Sequence, residues 1–340
     1  MQIIPYVLRR IGLAIFVLLG VTIITFFLSH SIGGNPIVAL LGREASLHPD
    51  LVTKLSARYH FNDPIWLQFY YYVLNLLQGN LGYSTSRGFL PVSTVIGQTL
   101  PYTIQIAFFA YVISLVLGIG FGVLAALYRG RTVDRSIRTL YLAGISTPAF
   151  FIALLLLIVF PYFLHWLPNG GAVNPNIPPP HAITGIPMLD ALIEGRFAYF
   201  SSAFMHVILP SLALAIATFG VVVRILRSSL LDVMQANFIR TARAKGLDEE
   251  TVFFKHGLRN ALISVVTILS LMITWLITGT IFVENIFAYP GMGQYVFSAL
   301  VAQDYPGILA TTLIFAVVIV SANLLADLLY VVVDPQIRLG

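Results

Sequence analysis

Six stretches of the chain are apolar and free of Asp, Glu, Lys and Arg: residues 11–29, 102–128, 139–163, 207–223, 261–283 and 307–326. A helix needs roughly 17–25 such residues to cross the hydrocarbon core of a bilayer. The pattern therefore predicts an all-α integral membrane protein with six spanning helices. The first stretch follows Arg9 and Arg10. It reads as a retained signal anchor, because it is long and no small-residue cleavage site follows it.

The polar segments between the runs differ in length and texture. Residues 32–100 form a long extracytoplasmic segment with helix signals of its own. Asp63 then Pro64 gives a capping residue and a proline suited to the first helical position. Behind them Trp66, Phe69, Tyr70, Val73, Leu74 and Leu77 recur at helical spacing until Gly79. Such a stripe packs on membrane helices or lies in the interface; a direct substrate role for its aromatics is the other reading. A short helix is expected over 92–100, with Pro101 opening the second span. The segment 165–202, with Pro178, Pro179 and Pro180 near its centre, reads as loop. No internal repeat is evident, nor the inverted halves of many secondary transporters.

Composition agrees with the pattern. Of 340 residues 58% are hydrophobic and 10% charged, with mean hydropathy +0.89, whereas soluble domains carry about 25% charged residues. Charge then orients the chain, because Lys and Arg gather in cytosolic loops. With the N-terminus in the cytosol, alternating spans put 14 of the 19 Lys and Arg on the cytosolic side, while the 14 acids split evenly. Both termini are expected in the cytosol. The pI near 9.4 reflects cytosolic loops rather than nucleic-acid binding. Cys is absent, so there is no disulfide frame, thiolate metal site or Cys nucleophile.

The sequence shows no engine. None of Lys54, Lys245 and Lys255 follows a Gly, so a phosphate-cradling P-loop is absent, and no His precedes Glu as a zinc HExxH site requires. His30, His165 and His206 fall near span ends, where interfacial packing is expected. An ionisable residue inside a span would mark an ion or proton path, but Glu284 and Asp327 stand only at span edges. If such a protein transports, its energy comes from a partner, most simply an ATPase on the cytosolic face.

The loop 237–260, between the fourth and fifth runs, has the build of a docking element. Residues 237–245 read as helix, carrying Arg240, Ala242, Arg243, Ala244 and Lys245, with Gly246 as its cap. Asp248, Glu249 and Glu250 open a second helical piece and Lys255 and His256 close it, in keeping with the helix dipole. Two helices meeting at a glycine would expose Phe253 and Phe254. Burying each ring in a partner groove contributes about 1.5–3 kcal/mol; lipid is the alternative home for both.

The same loop resembles the EAA motif of permease subunits of binding-protein-dependent ABC importers, which runs Glu-Ala-Ala, three residues, Gly, nine residues, Ile-x-Leu-Pro. Arg240, Thr241 and Ala242 stand in the triplet and Gly246 matches. Residues 247–255 fill the nine, His256 and Leu258 take the Ile and Leu places, and Arg259 replaces Pro. The dipeptide, oligopeptide and nickel subfamily is similar in more places. These are 241–247, 258–262, Arg9-Arg10, 79–84, Arg224 with Arg227-Ser228-Ser229, 284–293, 304–306, and the tail with Asp327 to Tyr330 and Asp334 to Arg338. Ser264 stands where that subfamily usually has proline, and Asn80 where it has Asp.

The resemblance implies a type I ABC importer permease architecture, with an extracytoplasmic helical insertion between helices 1 and 2. The expected spans are 11–31, 101–128, 139–163, 204–225, 261–284 and 307–330. Residues 32–100, 164–203 and 285–306 then lie outside; 1–10, 129–138, 226–260 and 331–340 are cytosolic; the permease domain covers about 95–335. It implies an ATPase-coupling role for Arg240, Thr241, Ala242, Gly246, Phe253, Phe254 and Leu258. Glu284, Pro290, Gly291 and Gly293 are an ordinary outer turn, or a gate or binding-protein contact. Implied partners are a second homologous permease, two ATPase subunits that hold ATP and Mg, an extracytoplasmic solute-binding protein and the lipid of a prokaryotic inner membrane. The chain itself is expected to hold no cofactor, metal or catalytic residue. The cargo expected is a di- or oligopeptide, with nickel, glutathione or a sugar as alternatives. A stand-alone secondary transporter is the reading from another class. Gly118, Gly120, Gly122, Ser270 and Thr274 either permit close packing or leave room for the route.

Overall fold

The computed structural model describes residues 3–31, 49–58 and 62–333. The predicted tail match from Asp334 to Arg338, the whole 32–48 stretch with Arg43, and the side chains of Ser270 and Asp327 lie outside what it describes. Among the described residues five helices are long and apolar enough to cross a membrane. A sixth candidate is a pair bent by 103°. The chain divides into two compact units, one of residues 1–102 and 290–320, the other of 103–289 and 321–340.

The first unit holds α1 (Ile3–Ser31), α2 (Pro49–Arg58), α3 (Ile65–Leu77), the two-residue strands β1 (Tyr83–Ser84) and β2 (Leu90–Pro91), and the start of α4 (Val92–Leu127). The expected cap of α3 moves by one residue. Pro64, extended at ψ 142°, occupies the cap position, and its carbonyl accepts from Leu67 and Gln68 N–H. The aromatic stripe packs only in part. Phe69 meets the Phe26 ring edge-on and Tyr72 stacks on it, at 5.1 and 5.6 Å between centroids, whereas Trp66, Tyr70 and Leu77 stay exposed. The strands pair antiparallel, Tyr83 opposite Pro91. Asp304 anchors them: its buried carboxylate accepts from Ser84 Oγ (2.5 Å), Ser86 N (3.1 Å) and Ser86 Oγ (2.8 Å), and its other oxygen from Gly307 N (3.0 Å). Val92, Ile96, Met292 and Ala310 form the core beneath. The expected break at Pro101 does not occur; α4 runs through it, as membrane helices tolerate an internal proline.

The second unit, 103–289 and 321–340, includes the loop 237–260. Helix α5 (Thr132–Ser146) meets α6 (Ala149–Leu157, continuing as a π-helical turn Ile158–Phe163) at the sharp bend. The run 139–163 therefore forms no straight span. The residue before a proline avoids the helical region, and Thr147, ahead of Pro148, is extended at ψ 127°. A two-turn helix, α7 (Pro187–Ile193), interrupts the expected loop, and α8 (Phe197–Val233) follows. Glycines set the crossing distances. A Cβ on Gly118 would lie 2.5 Å from Val222 Cβ, and one on Gly144 2.5 Å from the Ile216 carbonyl oxygen. Gly120 has open space, and Thr274 Oγ1 donates to Asn323 Oδ1 at 3.3 Å.

Candidate functional site

After α8 a tight turn leads into α9 (Asn237–Ala244). Its end is a Schellman cap: Leu247 N–H bonds the Ala242 carbonyl and Gly246 N–H the Arg243 carbonyl, with Gly246 at φ +77°. That left-handed conformation is where glycine carries no steric penalty. Asp248 caps the next piece, accepting from Thr251 N–H at 2.8 Å. It opens α10 (Glu249–Thr251), a π-helical turn (Val252–Leu258) and α11 (Arg259–Ile286) without interruption. Lys255 and His256 were expected to end this piece. They do not, because nothing there breaks a helix and Gly257 packs under Met234, where a Cβ would meet its Sδ at 2.7 Å.

The loop has an inner and an outer face. Ile239, Ala242 and Val252 are buried together with Met234 against them. Arg240, Thr241 and Gly246 face outward, with Phe238 and Leu247 exposed beside them. The adjacent phenylalanines, expected to be exposed together, touch edge-on at 5.1 Å between centroids but differ in burial. Phe253 packs, with Leu258, against the cluster of Leu226, Leu230 and Ala261, while Phe254 is 46% exposed. Of the two adjacent rings, Phe254 alone offers much surface, as Phe238 does on α9.

An ion pair across the Gly246 elbow was missed at the sequence level. Arg243 Nε donates to Glu249 Oε1 at 2.7 Å and its NH2 to Oε2 at 3.0 Å. The two-pronged guanidinium bond holds the Glu249 carboxyl below the usual carboxylate range, and the Thr251 N–H does the same for Asp248. Opposite charges six residues apart around a glycine were the available signal. A second missed pair left none: Asp134 and Arg227, far apart in sequence, meet through two bonds of 2.8 Å.

The outer motif is built differently. Glu284, in the last turn of α11, is fully buried and accepts from Thr103 Oγ1 at 2.7 Å. Tyr289 is also fully buried, its hydroxyl accepting from Gln105 Nε2 at 3.1 Å. In the other unit Pro290 leads to Gly291, the cap of α12 (Met292–Val301), and Gly291 and Gly293 are buried. Helix α13 (Tyr305–Val333) completes the chain's described part.

Several helices long and apolar enough to span a membrane, a buried motif at 284–293 and a loop with one open face define a helical membrane protein of permease type. The chain belongs to the family of binding-protein-dependent transport system inner membrane components, whose model matches residues 118–339; the model of that family's N-terminal region matches 3–107. It is 38% identical over 326 residues to the probable D,D-dipeptide transport system permease protein DdpB of Escherichia coli K12, covering 96% of this chain and 95% of that one. It is 38% identical over 333 residues to the dipeptide permease DppB of Alkalihalophilus pseudofirmus, covering 98% and 99%. The oligopeptide permease AppB of Bacillus subtilis is 36% identical, with 98% and 99% covered. The fold is similar to a chain in an inward-facing crystal structure of the MetNI methionine ABC transporter, at TM-score 0.53 and 15% identity, covering 72% of this chain and 98% of that one. The EAA loop is a feature of the family, and the chain is a membrane component rather than an enzyme.

Proposed function

We propose that this chain is one of two pore-forming subunits of an importer for di- or oligopeptides, paired with a second homologous permease, two ATPase subunits and an extracytoplasmic binding protein. The single observation that carries the reading is likeness over nearly the whole chain to permeases named for dipeptide and oligopeptide transport. ATP and Mg sit on the ATPases. Both termini face the cytosol of a prokaryotic cell, a reading supported by the 14 of 19 Lys and Arg assigned to that side.

The loop couples hydrolysis to transport. Arg240, Thr241, Gly246 and Phe254 meet the ATPase groove, while Ala242, Phe253 and Leu258 hold the loop on the spans. Because the π turn continues into α11 without a break, movement of the loop becomes movement of a spanning helix. Nucleotide binding closes the ATPases, and the spans open outward. Glu284, Pro290, Gly291 and Gly293 serve as an outer gate, since a buried carboxylate and buried glycines suit helix packing better than direct contact with a binding protein.

The test is an affinity pull-down from detergent-solubilised native membranes, with ATPase activity assayed on the recovered material. A second permease, ATPase subunits and turnover stimulated by a peptide-loaded binding protein are expected. A chain that purifies alone, without nucleotide hydrolysis, overturns the reading.

A further inference from the structure

The short turn between α4 and α5 is tied to α8 by an ion pair that the docking loop does not contain. Asp134 is 1% exposed. Its two oxygens take Arg227 Nε and NH2 at 2.8 Å each, and Gly130 N–H adds a third bond at 2.9 Å. Arg138 reaches the same carboxylate at 3.6 Å. A paired fork of this kind fixes direction as well as distance. Further along, α5 and α8 touch almost backbone to backbone: a Cβ on Gly220 would lie 2.9 Å from Tyr141 Cβ. Helix α5 is thus clamped to α8 at two places, one polar and one steric.

The polar clamp is the one near the loop. Arg227 lies one turn before Leu230, and Leu230 and Met234 pack over Gly257 of the π turn. Met234 also rests on the buried loop residues Ile239, Ala242 and Val252. A continuous path of packed side chains therefore runs from the loop through the end of α8 to Arg227, across to Asp134, and along α5 to the bend before α6. We propose that Asp134 and Arg227 are positioning residues for import, whose fork makes α5 and the bent helix beyond it move as one body with the docking loop. This rests on the docking reading above.

The experiment uses the whole complex in proteoliposomes and reads peptide imported per ATP hydrolysed. Arg227→Lys keeps the charge but cannot make two parallel bonds. The double variant Asp134→Asn with Arg227→Gln strands no buried charge, so it keeps the test alive if the single variant fails to assemble. Both lower the ratio, by about tenfold, while ATPases still co-purify and hydrolysis continues. Cysteines at 134 and 227, joined by a short bifunctional thiol reagent in a chain that has no cysteine, restore the ratio. A ratio unchanged in the double variant, or uptake and hydrolysis falling together with loss of the complex, overturns the proposal. Failure of the docking reading shows separately, as ATPase recovery unaffected by Phe254→Asp.

Discussion

The loop 237–260 and the motif ending at Gly293 both stand out as sequence patterns, yet the fold treats them in opposite ways. The loop keeps one face open: Phe254 and Leu247 are exposed, and its charged pair lies in solvent. The outer motif hides its chemistry: Glu284 and Tyr289 are each 0% exposed. The loop leaves apolar and charged surface unburied, whereas the motif buries its polar groups with hydrogen-bond partners. The comparison teaches that a motif marks a place, while burial tells whether the place is a surface or a joint.

Four experiments break or sharpen the contrast. Gly246→Val places a branched side chain at φ +77°, a conformation that costs about 1–3 kcal/mol for such residues. Uptake by the complex should be abolished while membrane insertion, followed by fractionation, is unchanged; normal uptake would sink the docking role. Next comes the phenylalanine pair. Phe254→Asp should strip ATPase subunits from the purified chain and leave the melting temperature near wild type. Phe253→Asp puts a charge against Leu230 and its neighbours and should cost about 2–3 kcal/mol of stability, seen as a lower melting temperature. Equal behaviour of the two would contradict the two-faced loop.

The third experiment moves to the outer motif. Thr103→Val removes a donor from the buried Glu284 carboxylate and should cost about 1 kcal/mol, read as thermal destabilisation with ATPase recovery intact. The smallest effect is expected at the exposed elbow. Glu249→Gln loosens the pairing with Arg243, so ATPase recovery should drop slightly, and the difference should vanish in high salt, which screens exposed charges. Acid checks the same elbow. Asp248 and Glu249 have folded pKa values below their ordinary ones. Their contribution is complete above the ordinary carboxylate pKa of about 4 and is lost as pH falls through the lower folded values. ATPase recovery should be flat from neutral pH to about 5 and decline only below the ordinary carboxylate range.

The local grammar of the loop was readable in advance. Gly246 as a cap follows from its place after a helix-forming run, and Asp248 as the start of the next piece follows from its capping side chain. The split of Phe253 from Phe254 was not readable, because it depends on how the π turn rotates the helix over Leu230 and Met234. The α3 stripe shows the same limit: spacing placed Trp66 and Phe69 on one helix, but only the presence of α1 decided which ring is covered.

By itself the sequence determined that this is a membrane protein with long apolar helices and a charged loop, because uninterrupted apolar length and charge placement act locally and need no partner to be felt. Tertiary structure alone decided that Asp134 meets Arg227 from 93 positions away and that Glu284 becomes a buried joint. Each of these depends on which distant side chain or backbone fills the space beside it, and that information lies in packing, where no single stretch of chain contains it.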